Sequence, residues 1–299
     1  MIENKTLLIT GGTGSWGQKA TEILLTMNPH SIRIFSRGEY LQSEMAKRFK
    51  DERLRFCIGD VRDKDRLLRA MDGCDYVLHA AALKHVPIAE YNPHEAIRTN
   101  IDGSMNVIDA AIDCQVEKVM AISTDKAVNP CNLYGATKMV MEKLMVQANV
   151  YGGMFSCVRY GNVLGSRGSV VPLFREQSKT GKVTITHPDM TRFWITLEQG
   201  VRFVLDCMER MMGGEIYVPK IPSMKITDIA SYLAPGCEQV VTGIRPGEKL
   251  HECLVTPDEC AEDCGDRFVI YHDGTYGGLC YRSDTNTDWL NESRLAEML

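Results

Sequence analysis

The chain has 299 residues, 44% hydrophobic and 24% charged, an ordinary globular balance with length for a sizeable core and two domains or one large one. Its net charge of −5 gives no basis for a nucleic-acid partner, and no apolar run is long enough to span a membrane. The charge is uneven. From Pro257 to Leu299, ten acids against three bases leave that segment at −7 and the rest at about +2, which suits an anionic substrate.

An apolar run at Thr6-Leu7-Leu8-Ile9-Thr10, ending at glycines, predicts a buried strand, and residues 17–27 carry helical spacing. Further strands are predicted at 32–35, 54–58, 75–79, 118–122 and 154–158, with helices at 39–49, 64–71 and 100–114 between them. This alternation predicts an α/β fold, a Rossmann-like doubly wound parallel sheet over residues 1–160. Beyond it the alternation breaks at Gly- and Pro-rich segments. Residues 161–299 are expected to form a smaller C-terminal substrate-binding lobe, with some segments returning to the main sheet and a closing helix at 289–299. The N-terminus has no signal-peptide layout, and the eleven cysteines read as reduced thiols, so a cytoplasmic location is expected. Cys253, Cys260, Cys264 and Cys280 lack a CxxC pair, and no metal is expected.

Gly11-Gly12-Thr13-Gly14-Ser15-Trp16-Gly17 stands between the first strand and the first helix. Glycines at 11, 14 and 17 allow a tight turn, close approach to a pyrophosphate and close helix packing, the pattern of a dinucleotide loop. The second strand ends Phe35-Ser36-Arg37. Ser36 and Arg37 stand where an acid would bind a ribose 2′-hydroxyl, so a 2′-phosphate and hence NADP are expected. Gly38 and Leu41 replace an acid and a lysine usual just beyond. Asp60-Val61, after the third strand, suits an adenine amino group.

Tyr134 and Lys138 stand four apart and share a helix face. A nearby ammonium is expected to lower the Tyr134 pKa toward neutrality, so that it can take a proton from a sugar hydroxyl. With the glycine loop, and with Ser123-Thr124 ending a strand, the chain resembles the extended, sugar-nucleotide-modifying branch of the short-chain dehydrogenase/reductase superfamily. Asp125-Lys126, in place of the Asp-Glu of many retaining dehydratases, is similar to the inverting UDP-N-acetylglucosamine 4,6-dehydratases of pseudaminic acid synthesis.

That resemblance, from about Asn4 to about Pro257, implies C4 oxidation, loss of water across C5 and C6, and hydride return to C6. It makes Thr124, Asp125, Lys126, Tyr134 and Lys138 catalytic, with Asp125 the acid and Lys126 the C5 base. Neutral Lys126 requires a site that lowers its pKa, and neighbours on a strand point opposite ways, which would put acid and base on two sides of one bond. Resemblance further implies cofactor contacts at Ala80, Ala81, Lys84 and Val163. Lys84, Asn162, Val171, Arg192, Arg245 and Glu248 would meet the UDP-sugar, UDP-GlcNAc; guanidinium forks suit its diphosphate. It also implies a homo-oligomer. A 4-epimerase, a retaining dehydratase and an inactive nucleotide-sensing protein are the alternatives.

Overall fold

The computed structural model describes residues 2–165, 170–275 and 277–299. In chain order its first half runs β1 (Thr6–Thr10), α1 (Ser15–Leu25), β2 (Ser31–Ser36), α2 (Glu39–Phe49), β3 (Leu54–Ile58), α3 (Lys64–Met71), β4 (Tyr76–His79), α4 (Val86–Tyr91), α5 (Pro93–Ile97), α6 (Gly103–Asp113), β5 (Lys118–Thr124), α7 (Leu133–Ala148) and β6 (Met154–Tyr160). It continues with β7 (Asn162–Leu164), α8 (Val170–Gln177), β8 (Lys182–Ile185), β9 (Thr191–Thr196), α9 (Leu197–Arg210), β10 (Ile216–Pro219), β11 (Ser223–Lys225), α10 (Ile226–Leu233) and β12 (Glu238–Val241). The last part holds β13 (Cys253–Val255), β14 (Cys260–Asp263), β15 (Arg267–Tyr271), β16 (Tyr281–Arg282) and α11 (Glu292–Met298).

Nine strands form one sheet in the order β14-β15-β10-β6-β5-β4-β1-β2-β3. The stretch from β3 to β6 is parallel and reverses direction of travel at β1, the doubly wound pattern, whose ligand crevice opens at the carboxyl ends of strands beside that switch point. β10 joins in parallel and β15 and β14 antiparallel, so the acidic C-terminal segment closes one sheet edge. β1 is buried throughout and β4 likewise, as a sheet covered on both faces requires.

A second, smaller apolar core gathers Leu164, Phe174, Trp194, Met224, Ile229 and Leu295 under β7, β9, β11 and the flanking helices. α9 starts with a reciprocal capping box, Thr196 with Gln199, which fixes where the chain leaves β9 to cover the main sheet.

Two boundaries differ from the sequence expectation. The helix expected from residue 100 starts as a π-helical turn, Arg98–Asp102, and becomes α-helical only at Gly103. Asn100 lies in this turn, and its buried amide bonds the backbone of Leu83 at 2.8 and 3.0 Å and Thr137 Oγ1 at 2.9 Å, which ties the turn to the segment after β4 and to α7. β6 runs on to Tyr160, because Arg159, a charged residue near the end of the strand, is satisfied by buried Glu142, whereas β5 ends at Ser123-Thr124 as expected.

Candidate active site

At the carboxyl ends of the parallel strands lies a cleft of about 960 Å³. One end is built on the glycine loop. Gly11 has φ +67°, and a β-carbon there would stand 2.9 Å from the Ala80 carbonyl oxygen, so only glycine lets the loop lie against the end of β4. A β-carbon at Gly17 would collide with Gly12, which is why α1 can pack against the turn. α1 begins at Gly14 with no capping side chain and no acid in its first turn. This loop leaves a cradle that a diphosphate fits, facing a positive helix end.

Thr13, Gly14, Ser15, Trp16, Ser36, Arg37, Asp60, Val61, Ala80, Ala81, Lys84 and Val163 all line this cleft. Gly17 stands behind it as a packing residue. Exposed Arg37 lies 3.9 Å from Asp60, and Arg62 donates twice to Asp60 Oδ2, at 2.6 and 3.0 Å. Burial opposes ionisation of Asp60, but Arg62 holds its carboxyl below the usual range.

The other end is built on β5 and α7. Asn132 caps α7 by accepting from Gly135 N at 2.8 Å, and its amide reaches Gly247 O at 2.8 Å. Lys249 Nζ also bonds Val128 O. The loop carrying Arg245 and Glu248 is thus tied to the start of α7 and the turn before it. Thr124, Lys126, Tyr134 and Lys138 line the cleft together.

A second cavity of about 200 Å³ is lined by Arg192, Arg245, Glu248 and Glu252, and shares Lys126 and Asn162 with the first. These two residues form the seam. Arg245 is exposed, whereas buried Arg192 donates to the carbonyls of Thr191, Lys249 and Leu250 at 2.7–3.1 Å. Val171 does not line either cavity: its side chain is buried in the second core, and its neighbour Val170 faces the cleft. The Ser166-Arg167-Gly168-Ser169 part of the expected substrate stretch lies outside the described residues.

Three expectations about the catalytic groups are corrected. Asp125 and Lys126 do not sit on a strand pointing opposite ways. They form a 3-10 turn, Asp125–Ala127, and Lys126 Nζ contacts Asp125 Oδ1 at 2.9 Å. Thr124 Oγ1 donates to the same oxygen at 2.9 Å, and the fully buried Asp125 Oδ2 has no hydrogen-bond partner among the described residues. Lys126 is not shifted toward neutrality. Burial pulls its pKa down, but Asp125 and Glu252 outweigh burial and hold it as an ammonium. Nor is Tyr134 lowered: burial pushes it up to about 12, against the opposing pull of Lys126 and a Thr124 hydrogen bond. The lysine that burial shifts toward neutrality is Lys138, brought down to about 8, with its Nζ 2.9 Å from Met141 Sδ.

Glu252 was not legible as a site residue. It is 2% exposed, lies 3.4 Å from Lys126 Nζ, and arrives from the start of β13. A single acid ahead of Cys253-Leu254-Val255 is the only sequence signal, a charge abutting a buried strand. Behind the site, Glu142 on α7 receives Ser123 Oγ at 2.5 Å and the Arg159 guanidinium at 2.7 and 3.0 Å, all three buried.

All eleven cysteines are free, and among the described residues no group of His, Cys, Asp or Glu is disposed to hold a metal. No helix among them is long and apolar enough to cross a membrane.

Comparison with known proteins matches this architecture. The chain is 50% identical to a Campylobacter jejuni protein named UDP-N-acetylglucosamine 4,6-dehydratase (inverting), covering 100% of this chain and 98% of that one. It is 45% identical to a Rickettsia canadensis protein named UDP-glucose 4-epimerase, over 92% of this chain and 85% of that one. Pen from Bacillus thuringiensis, a solved structure, superposes with a TM-score of 0.92 at 38% identity, covering 99% and 97% of the two chains. The family described as polysaccharide biosynthesis protein matches residues 7–271, and the chain belongs to it, on the extended short-chain dehydrogenase/reductase fold.

Proposed function

We propose that this protein is an NADP-dependent, inverting UDP-N-acetylglucosamine 4,6-dehydratase. Its product would be UDP-2-acetamido-2,6-dideoxy-β-L-arabino-hex-4-ulose, the entry to pseudaminic acid-type sugar synthesis. The observation that carries this reading is that Lys126, the amine lining both cavities beside Tyr134, is in contact with the buried carboxyl of Asp125 behind it. A 4-epimerase needs no such acid and base, because it never breaks the C6–O bond.

A bound nicotinamide supplies a hydride acceptor for C4 and a hydride donor for C6. The glycine loop would hold its diphosphate, Asp60 and Val61 would bind the adenine, and Ser36 and Arg37 would meet the 2′-phosphate. Tyr134 takes the C4 hydroxyl proton. The C4 ketone acidifies the C5 hydrogen, Lys126 Nζ takes it, and Asp125 protonates the departing C6 oxygen. Lys126 must first lose its own proton. Transfer across the 2.9 Å bond to Asp125 produces amine and carboxylic acid together, the two forms this step needs. Substrate binding favours it by excluding water, since a desolvated ion pair gains by neutralising. Asn162, Lys84, Arg192, Arg245 and Glu248 hold the UDP-sugar, with residues 161–299 as mainly a substrate lobe on a 1–160 cofactor domain.

The reading includes a cytoplasmic homo-oligomer. Exposed apolar Ile88, Tyr91, Ile97 and Met105 on α4–α6 support self-association.

The test is incubation with UDP-GlcNAc in D₂O, followed by mass spectrometry and NMR. A keto sugar lighter by one water, deuterated and inverted at C5, is expected. Retained C5 configuration makes the enzyme a retaining dehydratase. UDP-GalNAc with no loss of water makes it a 4-epimerase, the reading that the Rickettsia relative supports.

A further inference from the structure

Lys126 has carboxylates on two sides: Asp125 at 2.9 Å and Glu252 at 3.4 Å. In the dehydration proposed above, on which this inference rests, Asp125 carries a proton until it hands that proton to the C6 oxygen. While Lys126 removes the C5 proton, Glu252 is therefore the carboxylate that stays anionic beside it.

Glu252 is placed for that duty. Its backbone N–H donates to Ser283 Oγ at 2.9 Å, and Ser283 Oγ is 2.7 Å from Thr191 Oγ1, which anchors it between β9 and β16. The groups facing its carboxylate are Lys126, Arg192 Nε at 3.8 Å and Lys249 Nζ at 3.9 Å. Yet its buried Oε2 makes no hydrogen bond among the described residues. A buried carboxylate left short of hydrogen bonds costs stability. Here it stands against the amine that changes charge during the reaction.

We propose that Glu252 is the positioning residue of Lys126: it holds Nζ at the seam of the two cavities and stabilises the ammonium that forms as Lys126 takes the C5 proton. In this step the C5–H bond breaks and an N–H bond forms. The C–H electron pair passes into the enolate of the C4 ketone, and neutral Nζ becomes cationic. A carboxylate fixed near that nitrogen is stabilising in the transition state, where charge develops.

Glu252 also sets the pH response. Lys126 faces Asp125, Glu252, Arg192 and Tyr134, and Glu252 is one of the two groups that raise its pKa. Removing Glu252 lowers it.

The test compares wild type, Glu252→Gln and Glu252→Asp, each supplied with NADP and UDP-GlcNAc. In Glu252→Gln, C5 deuterium exchange is expected to fall about 100-fold, while cofactor reduction in a single turnover, read by absorbance, stays near wild type. The rising limb of the exchange rate, where Lys126 loses its proton, is expected to move down by about one pH unit. Glu252→Asp is expected to recover part of the rate. Exchange within about twofold of wild type in Glu252→Gln, or a limb that does not move, overturns the role. If Glu252→Gln does not fold, Glu252→Asp carries the test: exchange slowed at least about tenfold with reduction unchanged supports it, and wild-type exchange overturns it. Wild type that forms no keto sugar overturns the dehydratase reading itself. An active wild type with an unaffected Glu252→Gln overturns only the role of Glu252.

Discussion

A β-carbon on Gly135 would stand inside the contact radius of the Lys126 carbonyl oxygen, so the first turn of α7 and the Asp125–Ala127 turn meet backbone to backbone. That approach sets Tyr134 beside Lys126. Gly135→Ala must push the two apart, because backbone cannot swing aside as a side chain can. We expect a loss of about 1–3 kcal/mol in stability and at least a tenfold fall in turnover. Denaturant unfolding and a product assay check both; wild-type turnover in a folded Gly135→Ala would show that the contact does not set the site.

Two further substitutions separate the steps of the reaction. Lys126→Ala is expected to keep some C4 oxidation and lose C5 exchange by about 10²–10⁴-fold. Tyr134→Phe is expected to lose the oxidation itself. Single-turnover cofactor reduction and C5 deuteration report the two steps separately. Normal deuteration in Lys126→Ala would remove it as the base.

Much of this site was readable in the sequence, because its chemistry sits in short contiguous motifs. Gly11 to Gly17, Thr124 to Lys126 and Tyr134 with Lys138 are each local patterns whose meaning depends on a strand before or a helix around them. What was not readable depends on contacts between distant segments. The state of Lys126 depends on its burial, on adjacent Asp125 and also on Glu252, more than a hundred positions away, and Lys138 is shifted down chiefly by burial. Val171 and Val170 are alike in sequence, and only the packing of α8 decides which one faces the cleft. The antiparallel return of β14 and β15 likewise follows from a long-range pairing with β10 that no local period encodes.

Lys138 carries a stability cost that pH can reveal. Its folded pKa of about 8 lies below the ordinary 10.5, because burial penalises the charged form. The unfolded chain therefore binds more protons between pH 8 and 10.5, and stability from this group rises with pH across that window. Below pH 8 the cost is fully present, at roughly 3 kcal/mol. Lys138→Met, which keeps the length of the side chain beside Met141, is expected to be inactive yet more stable at pH 7 by about 2–3 kcal/mol. The gain should shrink toward pH 10. Urea unfolding at pH 7 and 9.5 measures it, and a gain independent of pH would contradict a charged, desolvated Lys138.

Arg37 stands at the mouth of the glycine-loop end with Asp60 3.9 Å away. A 2′-phosphate would exchange that loose pairing for a guanidinium–phosphate contact. Arg37→Ala is expected to weaken NADP binding about tenfold or more and to leave NAD binding nearly unchanged. Calorimetric titration of both cofactors decides, and equal losses would mean that Arg37 does not read the phosphate.

Glu142 and Arg159 are 2% and 3% exposed and joined by two hydrogen bonds, with Ser123 on the same carboxylate and Glu259 at 2.9 Å on the guanidinium. Glu142 lies one turn beyond Lys138 on α7, Ser123 immediately precedes Thr124, and Glu259 comes from the turn before β14. The cluster therefore ties α7, the end of β5 and the C-terminal segment at one point. Removing one partner strands a buried charge, which typically costs about 3–5 kcal/mol, whereas removing both can be far cheaper. Glu142→Ala alone is expected to show the full loss, and Glu142→Met with Arg159→Met a clearly smaller one. A double-mutant cycle by denaturant unfolding gives the coupling directly. Additive losses would mean that the two side chains hold the fold independently, each through its other partners.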